Sequence, residues 1–170
     1  AKLPPARKGT VEIRPVLPLD GLPDPRPHAF GPDGNLYLIL IYSDKSQPEP
    51  GPDALRAAAE VATTLARELD TAGAYFSASP LHPASTATSV RVRDGKRFVT
   101  DGPFAETREV LGGYYLIRAA DQQSALRVAE RCLGLCGTAV EVRPVFDLAA
   151  VREENSRKRV DPRPARSTTG

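Results

Sequence analysis

The sequence predicts an α+β fold, a split βαβ plan carrying an inserted β-hairpin, and three observations support it. Apolar runs of strand character alternate with two segments of helical period. A dipeptide suited to a tight hairpin, Asp94-Gly95, separates two strand-like stretches. The resulting order, β, α, β, hairpin, β, α, β, becomes two helices on one face of an antiparallel sheet once the hairpin is set aside.

Leu36 to Tyr42 is a continuous run of branched and aromatic residues and reads as the central strand, buried on both faces. Leu55, Ala58, Ala62, Leu65 and Leu69 recur at alternating spacings of three and four. With Pro52 or Asp53 to open it and Gly73 to close it, this pattern predicts an amphipathic helix over 53–71. Ala74 to Ala78 reads as a short strand, and Ser89 to Thr100 as the hairpin, with Arg91, Arg93 and Arg97 facing outward in alternation with Val90, Val92 and Phe98. Asp101-Gly102-Pro103-Phe104 is a turn by composition, and Tyr114 to Arg118 is the next strand. Asp121 is placed to cap a helix over 122–133 whose Ala125, Val128, Ala129 and Cys132 share a face; Gly134 and Gly137 end it. Ala139 to Val145 is the closing strand. One sheet face is left uncovered by this plan and needs a partner.

At 170 residues the chain suits one core, flanked by segments of different composition. Residues 1–35 form a Pro-rich arm, the folded domain spans 36–148, and 149–170 is a basic tail with six Lys/Arg against three acids, expected to be flexible. With 41% hydrophobic and 26% charged residues, wholesale disorder and fibrous folds are excluded. A net charge of +2 is too mild to imply nucleic-acid or membrane binding by itself. The longest apolar run is seven residues, far short of the roughly 20 that span a bilayer, so a cytoplasmic location is expected. Cys132 and Cys136 lack the spacing of a metal or redox motif, His28 and His82 lie far from them in sequence, and no cofactor or metal is expected.

An internal repeat stands out. Val11-Glu12-Ile13-Arg14-Pro15-Val16-Leu17-Pro18-Leu19 matches residues 140–148 at six of nine positions. The arm therefore contains a segment like the end of a domain copy, and residues 11–17 are predicted to form a strand docked on a sheet edge, Pro15 having no donor to give a central ladder.

In Val90 to Arg93, in Asp101-Gly102-Pro103-Phe104-Ala105-Glu106-Thr107-Arg108-Glu109, in Leu111-Gly112-Gly113-Tyr114-Tyr115-Leu116 and in Val140-Glu141-Val142-Arg143-Pro144-Val145, the chain resembles the YCII-related family, in its DGPF-motif branch. The resemblance implies a ferredoxin-like domain that dimerises sheet to sheet into an α+β barrel. It also implies either a dehalogenase-like or lyase-like enzyme using a His–Asp pair, or an uncharacterised module associated with extracytoplasmic-function sigma factors. The stretch where the family histidine is expected, 36–76, contains none.

Read residue by residue, Asp101 is either the carboxylate that fixes its Gly-Pro turn or a general base. His82 and Glu106 are the further acid/base candidates. Arg108 and Phe104, with Tyr114 and Tyr115, are the candidate substrate contacts. The two tyrosines point to opposite faces of their strand, one to the helices and one to the dimer seam. Two functions compete: a homodimer, or a tandem pseudo-dimer, with a pocket for a small anionic ligand near the Asp-Gly-Pro-Phe turn, and a non-catalytic interaction module with a regulatory protein partner. Nucleic acid and membrane are not expected partners.

Overall fold

A computed structural model describes residues 9–27, 30, 34–46, 51–103, 107–133 and 139–147. Among these residues are seven strands and two α-helices: β1 (Thr10–Ile13), β2 (Asn35–Asp44), α1 (Pro52–Thr71), β3 (Tyr75–Pro80), β4 (Thr88–Arg93), β5 (Lys96–Asp101), β6 (Glu109–Ala119), α2 (Gln122–Leu133) and β7 (Ala139–Pro144), with a 3-10 turn at Ala84–Thr86. Four strands make an antiparallel sheet in the order β3-β6-β2-β7, which is the strand order of the split βαβ plan, and β1-β4-β5 make a second, smaller sheet. The fold is α+β, as the sequence pattern predicts. No helix among the described residues is long and apolar enough to cross a membrane.

Strand alternation sends one set of side chains beneath the helices. Tyr37, Ile39 and Ile41 of β2 and Tyr115 and Ile117 of β6 meet Leu65, Ala66 and Leu69 of α1 and Ala125, Ala129 and Cys132 of α2 in one buried cluster. Ile39, Ile117, Ala66, Ala125 and Cys132 have no exposed surface. The opposite face carries Leu38 and Leu40 of β2 beside Leu116 and Tyr114 of β6, all half-buried. The central strand is thus sealed on its helix side and only partly covered on the other.

Helix α1 departs from its predicted apolar stripe at its start. Leu55 is 53% exposed, and the buried residues are Thr63, Leu65, Ala66 and Leu69. A 20-residue helix is about 30 Å long, whereas the six residues of β3 beside it span roughly 20 Å, so the first turns extend past β3. Helix α2 follows its pattern closely. The Asp121 carboxylate accepts the Ser124 N–H at 2.7 Å, the expected N-cap, and burial pushes the Cys132 thiol up to about 11.

The predicted hairpin turns at Asp94 (φ 49°) and Gly95 (φ 72°), two left-handed residues in succession. Its register corrects the arginine pattern. Arg91 lies opposite Phe98, with the guanidinium 5.7 Å from the ring centre, while Arg97 lies opposite Val92 and so belongs to the other face from Arg91 and Arg93.

The N-terminal segment is structured by the edges it meets. Its strand is shorter than predicted, Thr10–Ile13, and pairs antiparallel with β4; Val16 then makes one bridge to Leu81. Beyond it, the Leu17 N–H reaches the Pro80 carbonyl at 2.8 Å and the Arg26 N–H reaches the Phe76 carbonyl at 2.8 Å, covering the outer edge of β3. Prolines 15 and 18 interrupt a longer ladder. The matching segment, β7, closes the opposite edge beside β2. The tail 149–170 and Cys136, Gly134 and Gly137 lie outside the described residues.

Candidate functional site

A glycine pair creates the site. Between Ile41 and Tyr42 the pairing of β2 with β6 slips by one residue: Ile41 faces Gly113 and Tyr42 faces Leu111, leaving Gly112 as the extra residue of a bulge. Before the slip, the odd-numbered residues of β6 point to the helices. After it, Leu111 and Glu109 lie opposite Tyr42 and Asp44, on the open side of the sheet. Gly113 also permits close approach by β3, because a Cβ there would lie 3.0 Å from the Ser79 carbonyl oxygen and 3.3 Å from the Pro80 Cα.

The bulge opens onto a shallow cleft of about 520 Å³ lined by Tyr42, Asp44, Thr107, Arg108 and Glu109. Asp44 is its most enclosed charge, with a side chain 9% exposed. It accepts both the hydroxyl and the backbone N–H of Ser46 at 2.7 Å, and the Arg108 Nε at 2.9 Å. The Ser46 bonds, then Arg108, hold this carboxyl below its usual range. Arg108 is pinned from behind through its own carbonyl, which accepts the Lys45 N–H at 2.9 Å, yet 74% of its side chain remains exposed. A guanidinium tethered through Nε keeps its terminal donors for another group.

A second charged set borders the cleft. Tyr42 donates to Glu141 Oε2 at 3.1 Å, and Arg143 Nε donates to Glu141 Oε1 at 2.7 Å. Arg143 first and Tyr42 second hold the Glu141 carboxyl below its usual range; burial, then the Glu141 contact, raises the Tyr42 hydroxyl. Asp44, Arg108 and Glu109 are placed by strand ends or by the loop between β5 and β6, whereas Glu141 and Arg143 project from within β7.

The sequence candidates separate. Arg108 is in the cleft. Tyr114 is on the open sheet face, opposite Leu40 and Ser79. Tyr115 points to the helices, is 3% exposed and donates to the Ala62 carbonyl at 3.0 Å; burial raises its hydroxyl pKa strongly. Asp101 ends β5 opposite Thr88, exposed, and no hydrogen bond of its carboxylate is found among the described residues. The turn after it is fastened instead by the Gly102 N–H on the Ala87 carbonyl, 2.7 Å, and by the Ser89 hydroxyl on the Gly102 carbonyl, 2.9 Å. His82 is half-buried beyond β3, its N–H on the Pro15 carbonyl at 3.1 Å; no bond joins it to Asp101 among the described residues. Phe104 and Glu106 lie outside the described residues.

Sequence reasoning missed Tyr42, Asp44, Thr107, Glu109, Glu141 and Arg143 as site residues. Two signals were available: the polar close Tyr42-Ser43-Asp44 of an apolar strand, and the alternation of Glu141 with Arg143, which places both on one face.

Comparison with known proteins follows the same boundaries. A family model described as the YCII-related domain matches residues 35–149. An uncharacterized protein of Rhizobium meliloti (strain 1021) is 35% identical over 99 residues, covering 55% of this chain and 77% of that protein.

Proposed function

Because the chain belongs to the YCII-related domain family, we propose that it works as a paired small-molecule-binding domain. In this reading two copies pack open sheet face on open sheet face, and each cleft takes a small ligand bearing a carboxylate. The observation that carries the ligand class is Arg108. Its Nε is held by Asp44 while the side chain lines the cleft and stays largely exposed, which leaves its terminal donors for bonds to a carboxylate. Asp44 and Glu109 exclude a highly charged anion and favour one negative group on an otherwise neutral body. Tyr42, its hydroxyl engaged by Glu141, offers an aromatic wall. The pairing is favoured by Leu38, Leu40, Tyr114 and Leu116, a half-buried apolar row that runs to the cleft.

The test is thermal denaturation with acetate, benzoate and oxalate against Arg108→Gln. At ten times its dissociation constant a bound ligand adds about 1.4 kcal/mol to stability, a rise of roughly 3–6 °C for a chain of this size. Benzoate or acetate is expected to raise the midpoint of the parent protein and not that of Arg108→Gln. Equal responses in both proteins would reject Arg108 as the ligand contact.

A further inference from the structure

Strand β5 is the outer strand of the small sheet, and all six of its residues, Lys96 to Asp101, are exposed. Val99 is 53% and Phe98 44% exposed. Among the described residues no strand lies beyond it. An open edge of this length, carrying apolar side chains, is a template for pairing with another strand.

The register identifies the other strand. Val11 lies opposite Val90 and Val90 opposite Val99, so a row of three valines crosses one face of the small sheet and stops at the open edge. On that same face β5 carries Arg97 and Asp101, two residues to either side of Val99. Within one copy this arginine and aspartate have no partner among the described residues and lie about 13 Å apart along the strand. An antiparallel pair related by a two-fold axis keeps each residue opposite one on the same face, so its register must centre on a residue. Centring on Val99 sets Val99 against its own copy and Arg97 against Asp101 of the second copy, twice by symmetry. Shifting the centre to Phe98 or Thr100 breaks both charge pairs.

We propose that β5 pairs with β5 of a second copy in this register, fusing the two small sheets into one of six strands with a continuous valine row. The inference gives Asp101 a role at an interface, and it is independent of the cleft and of the face-to-face contact. The edge strand is self-complementary: the basic residue before Val99 and the acidic residue after it match only when the strand runs against itself.

Sedimentation velocity of the whole chain over a range of concentrations tests it, with thermal melts to show that each variant is folded. Arg97→Asp alone, or Asp101→Arg alone, places like charges opposite each other twice. Each is expected to weaken this association by about tenfold or more. An equimolar mixture of the two single variants restores complementary pairs, as does the double variant carrying both changes, and both are expected to associate like the parent. Unchanged association in the single variants, or failure of both the mixture and the double variant to recover, overturns the pairing. Loss of association in Leu40→Glu with no response to the charge variants also overturns it, while leaving the face-to-face contact in place.

Discussion

Substituting Gly113 by alanine probes the feature on which the cleft depends. The added methyl would sit 3.0 Å from the Ser79 carbonyl oxygen and 3.3 Å from the Pro80 Cα, and both neighbours are backbone. No rotamer relieves the contact, so β3 must move away from β6 or the bulge must re-form. Forcing extra volume into a closed site of this kind costs about 1–3 kcal/mol. Against this, alanine restricts the unfolded chain and returns about 0.4–1 kcal/mol. The net expectation is a loss of about 1–2 kcal/mol, or roughly 2–8 °C in the melting midpoint. Gly112 is the internal control. A methyl there would lie 3.0 Å from the Ser43 hydroxyl, a side-chain atom that can rotate away, with the nearest backbone atom at 3.6 Å. Gly112→Ala should therefore lie within about 0.5 kcal/mol of the parent, the scatter of benign substitutions. Urea unfolding of the three proteins, followed by far-UV circular dichroism, measures the difference. Equal stability of the two variants, or Gly112→Ala the weaker, would refute the claim that close approach of β3 is what requires glycine at 113.

Two further outcomes follow from caps and buried groups. Asp121→Ala removes the oxygen that receives the Ser124 N–H and should lower stability in chemical unfolding through the lost N-cap; the Ser124 bonds lower this carboxyl, so its contribution is present above about pH 4 and fades as the pH falls through the lowered value. The Cys132 thiol, raised to about 11 by burial, stays protonated in the folded chain while the unfolded chain ionises from about pH 8.5, so stability should fall by up to about 3 kcal/mol as the pH climbs to 11. In Cys132→Ala that alkaline slope should shrink, with the raised hydroxyls of Tyr42, Tyr75 and Tyr115 supplying what is left of it.

The fold was legible because its signals are local. A three-four apolar spacing, an Asp-Gly turn and an N-cap aspartate each act over a few residues, and they placed both helices and the hairpin within a few residues of their ends. The helix face failed only at Leu55, in the first turns that extend past β3, a limit set by tertiary geometry. The site was less legible for a different reason. A single-residue slip at Gly112 decides which face Glu109 occupies, and strand alternation read along β6 alone assigns that residue to the wrong side. Arg108 could be picked out as a charged loop residue, but its partner Asp44 lies 64 positions earlier, and no spacing rule links them. The repeat shows the same limit. Glu12 with Arg14 and Glu141 with Arg143 both form ion pairs two residues apart, at 3.8 Å and 2.7 Å, yet their strands join different sheets.

The central claim, that the bulge-built cleft holds a carboxylate on Arg108, is tested most directly by titrating benzoate into isotopically labelled protein and following backbone amide shifts by NMR. Saturable shifts confined to residues 42–46 and 107–111, and absent in Arg108→Gln, are the predicted result; shifts that cluster elsewhere, or that persist unchanged in Arg108→Gln, would contradict it.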